Sequence, residues 1–356
     1  MENERYIHLI DSELANLPDF VNQYRIGTNL SLTTTYQYLT EFRRFFDWLR
    51  ISSLSQAADN NHVSPTDLEQ LKRNDIMLYI DSIKHNSNER KNSVSPTTIN
   101  RSINALRSLY KFLTIKSDNV NGHSYFDQNV MLKIDSMNTN QTLSYRAHAI
   151  KAHMLIGEEK FEFLDFIDTT YISKINKQAI HSFEKNKERD LALIALMLGT
   201  GIRVSEAANV NMKDINLSDK YLDITRKGGQ KDTVPIADWT IDYLKNYANH
   251  RSSTYHPDKT QTAFFITEYH GKINRIASNS IERLVSKYSA AYGRKLTPHK
   301  LRHTVASEIY SNTKDQVVVA QQLGQKGTSA TSLYTHVDPD KQRAALNDNS
   351  NQRQNK

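Results

Sequence analysis

The sequence predicts a two-domain protein, with an all-α N-terminal half and a mainly α C-terminal half that carries a small β-hairpin. Three observations predict it. At 356 residues the chain exceeds the usual size of one domain. Its first 115 or so residues repeat apolar side chains at helical spacing, and between residues 221 and 236 two short β-rich runs flank a basic turn.

From Leu30 to Leu49 the residues Tyr38, Leu39, Phe42, Phe45, Phe46 and Leu49 recur at helical spacing, predicting an amphipathic helix with Arg43, Arg44 and Arg50 on its basic flank. Ser64-Pro65-Thr66-Asp67 has the residues of a helix start and leads into Leu68, Leu71, Ile76, Leu78, Ile80 and Ile83. Another helix begins at Ser95-Pro96, an N-cap followed by proline at the first helical position. It buries Ile99, Ile103, Leu106, Tyr110 and Leu113 and offers Arg101, Arg107 and Lys111 on its other face.

Polar turn formers from Asp118 to Ser124 end this first domain, placed at residues 1–118. Residues 119–165 read as an extended linker in which Leu143, Met154, Leu155, Phe161, Phe163 and Leu164 suffice for an extra helix or two. The second domain spans 166–356. Within it a helix from Ile180 ends at Gly199-Thr200-Gly201, and a short helix covers Val204 to Val210. Strands Tyr221–Thr225 and Thr233–Ile236 then flank Arg226-Lys227-Gly228-Gly229-Gln230-Lys231, a hairpin with a basic tip. Ala263–Thr267 reads as a further strand, the remainder to Tyr334 as largely helical, and the polar tail 347–356 as disordered.

Composition narrows the function classes. A net charge of +7 and a pI near 9.2 favour an acidic partner, nucleic acid or an anionic membrane surface. The absence of cysteine excludes disulfides, thiol nucleophiles and thiolate metal sites. Met-Glu-Asn-Glu-Arg is not a signal peptide, and no apolar run approaches the roughly 18 residues needed to span a bilayer, so a cytoplasmic protein without a membrane partner is expected. By itself, the basic flank of the N-terminal helices fits an ordinary solvated surface as well as a DNA-binding one.

The chemistry is concentrated in the last third, in Gly201-Ile202-Arg203-Val204-Ser205-Glu206, Thr297-Pro298-His299-Lys300-Leu301-Arg302-His303 and Leu333-Tyr334-Thr335-His336. Arginine forks clamp two phosphate oxygens at once, and a tyrosine hydroxyl can attack phosphorus and hold it covalently. Three-residue spacing puts His299 and Arg302 on one helix face, within reach of one phosphate, while Glu206 sits three residues from Arg203. This combination suggests DNA cutting without water, metal or cofactor.

These segments resemble the tyrosine recombinases of the phage integrase family, and most closely its Xer group. The likeness covers nearly the whole chain. It implies a helical, SAM-like core-binding domain followed by a catalytic domain, closing as a C-shaped clamp on double-stranded DNA. By resemblance Arg203 and Arg302 hold the scissile phosphate, supported by Glu206; His299 bonds the phosphate or accepts the tyrosine proton; and Tyr334 is the nucleophile, giving a 3′-phosphotyrosine and a free 5′-hydroxyl. Lys227, in a segment like the family's Gly-Lys-Gly turn, protonates the departing 5′ oxygen, with Lys231 as competitor. Where the family has His or Trp after Leu-Gly, nine residues before the tyrosine, this chain has Gln325, which can donate a hydrogen bond but carries neither proton nor charge. His303 points to a different face and is read as structural or packing.

DNA contacts are expected from Arg43, Arg44, Arg101, Arg107, Lys111 and Lys231. The resemblance further implies a homotetramer on paired sites, a C-terminal segment that docks on a neighbour through Ala344-Ala345-Leu346, chromosome dimer resolution at a dif-type site, and control by an FtsK-type DNA translocase. The integrase of a mobile element would share every catalytic residue. A non-catalytic DNA-binding regulator on the same fold is the rival from another class.

Overall fold

The computed structural model describes residues 2–85, 94–119, 121–138, 141–226, 228–328 and 331–337. Lys227 and the tail with Ala344-Ala345-Leu346 therefore lie outside the described residues. Two compact units divide the chain, Met1–Asn140 and Gln141–Lys356. Among the described residues no helix is long and apolar enough to cross a membrane.

The first unit is helical: α1 Glu2–Leu14, α2 Asp19–Gly27, α3 Leu32–Ile51, α4 Pro65–Glu69, α5 Arg73–His85 and α6 Pro96–Ile115. Ser31 and Ser95 cap α3 and α6 by accepting from the backbone N–H three residues on, and proline opens α6 where its missing N–H costs nothing. The run from Ser64 to Ile83 forms two helices rather than one. Ser64 and Asp67 close a capping box on α4, and the Asp75 carboxylate accepts from Lys72 N at 2.7 Å, giving α5 its own start. Leu39, Phe42, Phe45, Phe46 and Leu49 of α3 bury against Ile99, Ile103, Leu106, Leu109 and Leu113 of α6, with Tyr24 edge-on to Phe42 and Phe112.

The expected linker is shared between the units. Phe126, Met131 and Ile134 enter the first core, where Asn100 brackets the Met137 backbone and Arg107 donates to Ser136 Oγ at 2.8 Å and to the Ile134 carbonyl. Residues 141–165 instead build the second unit through α7 Leu143–Lys151 and α8 Glu159–Asp165, because Met154, Leu155, Phe163 and Leu164 bury there.

The second unit is organised around α9 Lys177–Thr200, whose stretch from Asp190 to Leu198 is buried throughout. Asp190 accepts from Arg189 at 2.6 Å and from the Tyr288 hydroxyl at 2.7 Å, so this buried charge is paired. Gly201, with φ +71°, ends α9 in the left-handed conformation and turns the chain into α10 Val204–Asn209. Three antiparallel strands follow, β1 Ile215–Asn216, β2 Tyr221–Thr225 and β3 Lys231–Pro235, with Tyr221 opposite Pro235 and Thr225 opposite Lys231. Leu222, Ile224 and Val234 face the core by the two-residue alternation of a strand.

Then come α11 Ile241–Tyr255, the hairpin β4 Ile266–Tyr269 and β5 Lys272–Arg275, and α12 Ser278–Ala291, α13 Pro298–Thr313 and α14 Gln316–Leu323. The strand expected at 263–267 begins at Ile266, with Ala263 making a single bridge to Asn211. A third apolar cluster joins Ala147 and Met154 to Ala306, Val319, Leu323, Leu333, Tyr334 and Val337. The expected linker thus supplies part of the bed on which Tyr334 lies.

Candidate active site

Arg203 stands at the N-cap of α10, at the end of the turn that Gly201 allows. Glu206, three residues on and 4% exposed, accepts from the Arg203 backbone N at 2.7 Å and from its Nη1 at 2.8 Å. This aligns the guanidinium and, among the described residues, leaves most of its donors open, the side chain being 34% exposed.

Thr297 caps α13 and Pro298 opens it, placing His299 and Arg302 on successive turns. Arg302 is buried and donates Nη1 to the Gly201 carbonyl at 2.7 Å and Nη2 to the Leu323 carbonyl at 2.6 Å. One guanidinium thereby ties the end of α9 to the end of α14. Burial, followed by repulsion from Arg203, lowers its pKa to about 10, so it stays charged at neutral pH. The same causes, burial and then Arg302 and Arg203, lower His299. Arg203, Arg226 and Arg302 share the region with two carboxylates, Glu206 and Asp232. A bound anion would relieve the excess positive charge.

Tyr334 lies in a single helical turn, Ser332–His336, and is 3% exposed. Burial pushes its hydroxyl up to about 12 against the opposing pull of Arg302. Its hydroxyl meets His303 Nδ1 at 2.8 Å, so His303, read from the sequence as structural or packing, lies in direct contact with Tyr334. His299 and His303 are one turn apart and share a face, ring centroids 4.4 Å apart. His303 is pulled down to about 4 by burial and then by His299 and Arg302, so it is neutral and can accept the tyrosine proton. His336 anchors the turn by meeting Ser144 Oγ of α7 at 3.1 Å.

Gln325 follows Gly324, the left-handed cap of α14, and its backbone N donates to the Ala320 carbonyl at 2.9 Å. Its Oε1 is buried with no hydrogen-bond partner among the described residues. Rotation of the amide exchanges Oε1 and Nε2, so this end can present a donor to a phosphate oxygen. If it does, Gln325→Ala slows cleavage of a nicked suicide substrate about tenfold, the worth of one neutral hydrogen bond. A wild-type rate would remove Gln325 from the site.

Arg226 was not singled out by its sequence, since an arginine in a hairpin looks like a surface charge. It is 5% exposed and central. Nε donates to Asp232 at 2.8 Å, Nη1 to Glu206 at 3.2 Å and Nη2 to the Gln322 carbonyl at 3.0 Å. It docks the base of the hairpin against α10 and α14 and reaches Arg203 through Glu206. Lys231, the competitor of Lys227, is exposed at the start of β3 in a cleft of about 710 Å³ with Glu206 and Asp232.

The basic residues of the first unit divide. Arg43 bonds Glu13 at 2.8 Å, Arg44 meets Glu41 at 3.2 Å, and Arg107 holds the chain at Ile134 and Ser136. Arg101 and Lys111 are exposed on α6 and make no ion pair among the described residues.

Two family profiles match the chain: "Phage integrase family" over residues 165–341 and "Phage integrase, N-terminal SAM-like domain" over 17–116. The tyrosine recombinase XerS of Streptococcus gordonii is 43% identical, covering 98% of this chain and 99% of its own length. That of Streptococcus uberis is 44% identical over 97% and 99%. Among solved structures, XerH site-specific recombinase bound to a palindromic difH substrate aligns with a TM-score of 0.63 at 22% identity, covering 88% of this chain and 78% of that one. A lambda integrase dimer bound to a COC′ core site aligns at 0.56 and 13% identity, over 92% and 95%. At these identities the two structures are alike in fold.

Proposed function

The chain belongs to the phage integrase family of site-specific tyrosine recombinases, and on that premise we propose that Tyr334 is the nucleophile with which it cuts and rejoins double-stranded DNA at a dif-type site. One observation carries this reading: the buried Tyr334 hydroxyl is held at 2.8 Å by His303, beside an Arg302 fixed by two backbone carbonyls.

The scissile phosphate sits between Arg203 and Arg302, with His299 and Gln325 adding hydrogen bonds. Among the described residues Arg302 makes two carbonyl bonds, leaving three N–H groups with which to grip an oxygen as charge accumulates. Tyr334 Oη bonds to phosphorus as the bond to the 5′ oxygen breaks, and Lys227 supplies the proton that oxygen needs. The 3′-phosphotyrosine conserves the energy of the broken ester, so a 5′-hydroxyl reseals it without ATP.

Exposed Arg101 and Lys111 supply phosphate contacts whose affinity falls with salt. Four protomers pair two sites and exchange strands through a Holliday junction, and the segment beyond Tyr334 docks on a neighbour. The kinship with XerS favours cytoplasmic resolution of chromosome dimers under an FtsK-type translocase over service to a mobile element. A supercoiled plasmid bearing two directly repeated dif-type sites tests the reading. Two smaller circles are expected. Relaxation without exchange would instead indicate a topoisomerase, and no DNA breakage at all a non-catalytic regulator.

A further inference from the structure

We propose that His303 is a catalytic residue, the base that takes the Tyr334 hydroxyl proton during cleavage and returns it during resealing, leaving His299 to the phosphate. The proposal rests on Tyr334 being the nucleophile. Its ground is a division of labour between two histidines on one face of α13. His299 interacts with Arg302 and Arg203, the side where an anion belongs, whereas His303 Nδ1 lies 2.8 Å from the Tyr334 hydroxyl. Among the described residues that is the only side-chain hydrogen bond of this hydroxyl.

The surroundings of His303 keep the ring uncharged, and the proposed step takes its Nε2–H tautomer, in which Tyr334 donates to Nδ1. Facing the ring are His299 and Arg302 from α13 and Tyr334 from the turn at 332–336, with Arg203 acting on the first two. Burial, then His299 and Arg302, disfavour a second proton on the ring. With Nε2 carrying the single proton, Nδ1 presents a lone pair and Tyr334 donates.

The step balances without any further reagent. As Oη bonds to phosphorus, its proton passes to Nδ1, His303 becomes an imidazolium, and the 5′ oxygen leaves with a proton from the hairpin lysine. Resealing reverses each transfer. Burial is the main cause that keeps His303 neutral, and a phosphate entering beside Arg302 offsets only the smaller repulsion from that guanidinium.

The test is the pH dependence of covalent cleavage on a nicked suicide DNA, from pH 6 to 9, for the full chain and for His303→Gln, His303→Ala and Tyr334→Phe. With its base in place the wild-type rate is flat across this range. His303→Gln is expected to cleave about 10²-fold more slowly at pH 7, the lower end of what a positioned base contributes. Its rate should then climb about tenfold per pH unit, because hydroxide must remove the proton from a phenol that titrates far above the range. Added imidazole should accelerate His303→Ala.

A His303→Gln rate that is slow but flat with pH, with no imidazole response in His303→Ala, assigns His303 to packing and overturns the proposal. So does a wild-type rate. The slope is read within one variant, so a partly unfolded fraction does not mimic it. If Tyr334→Phe still forms the adduct, the nucleophile assignment falls and this proposal with it. If Tyr334→Phe is inert while His303→Gln stays flat, the proposal falls alone.

Discussion

Tyr334→Phe is expected to bind its DNA site as the wild-type chain does and to form no covalent adduct. The substitution removes one oxygen and leaves a ring of the same shape among Ala147, Met154, Leu323 and Leu333. Its structural cost is the hydrogen bond to His303, which leaves a half-buried imidazole nitrogen without its partner, about 1–3 kcal/mol. The chemical cost is of another order. Without the hydroxyl no bond to phosphorus can form, and loss of a hydroxyl nucleophile elsewhere lowers turnover on the order of 10⁶-fold. Mixing protein with a nicked site and resolving the products in denaturant measures this directly. Tyr310→Phe, in the same cluster, serves as control and should form adduct normally. An adduct from Tyr334→Phe equal to that of the control would place the nucleophile elsewhere.

Much of this site is legible in the sequence because its spacing is local. His299 and Arg302 share a face since three residues are nearly one helical turn, and Glu206 reaches Arg203 for the same reason. The helices of the first unit are legible likewise, with serine caps and apolar stripes marking α3 and α6. What escapes is long-range. Nothing local distinguishes Arg226 from a solvated hairpin charge, because the Gln322 carbonyl that takes its Nη2 lies 96 residues away. His303 is hidden for a similar reason, its partner Tyr334 arriving from a turn 31 residues later. Residues 141–165 look like a linker because α7 and α8 are short and weakly patterned. Packing of Leu155, Phe163 and Leu164 into the core around α9, and of Ala147 and Met154 against Ala306, Val319 and Leu323, makes them part of the unit that carries Tyr334.

Arg226→Met should be the most damaging change outside the residues that face the phosphate, in both stability and rate. The guanidinium is 5% exposed and its charge is answered by Glu206, itself 4% exposed, and by Asp232. Removing one partner of a buried ion pair costs about 3–5 kcal/mol, because the remaining charge has no solvent to turn to. Here the remaining charges are Asp232 and the buried Glu206, whose ion pair would then be with Arg203. An Arg203 that must neutralise Glu206 has less charge to offer a phosphate, and the β2–β3 hairpin loses its tie to α10 and α14. Cleavage should fall on the order of 10²-fold, as expected when a reacting group is misplaced by about 1 Å. Gly324 gives an independent handle on the same contact. Its φ is +58°, and a Cβ built there would lie 2.3 Å from Arg226 Nε, so Gly324→Ala must displace the guanidinium as well as strain the backbone. Combined with Arg226→Met, the clash with Nε and Cζ is removed, so the steric part of that penalty shrinks while the backbone part remains. In urea denaturation the double variant should therefore lose less stability than the sum of the two single losses, by roughly 0.5–3 kcal/mol for residues in contact. Strict additivity would mean that the alanine methyl never meets Arg226, and the hub that holds the hairpin to α14 would have to lie elsewhere.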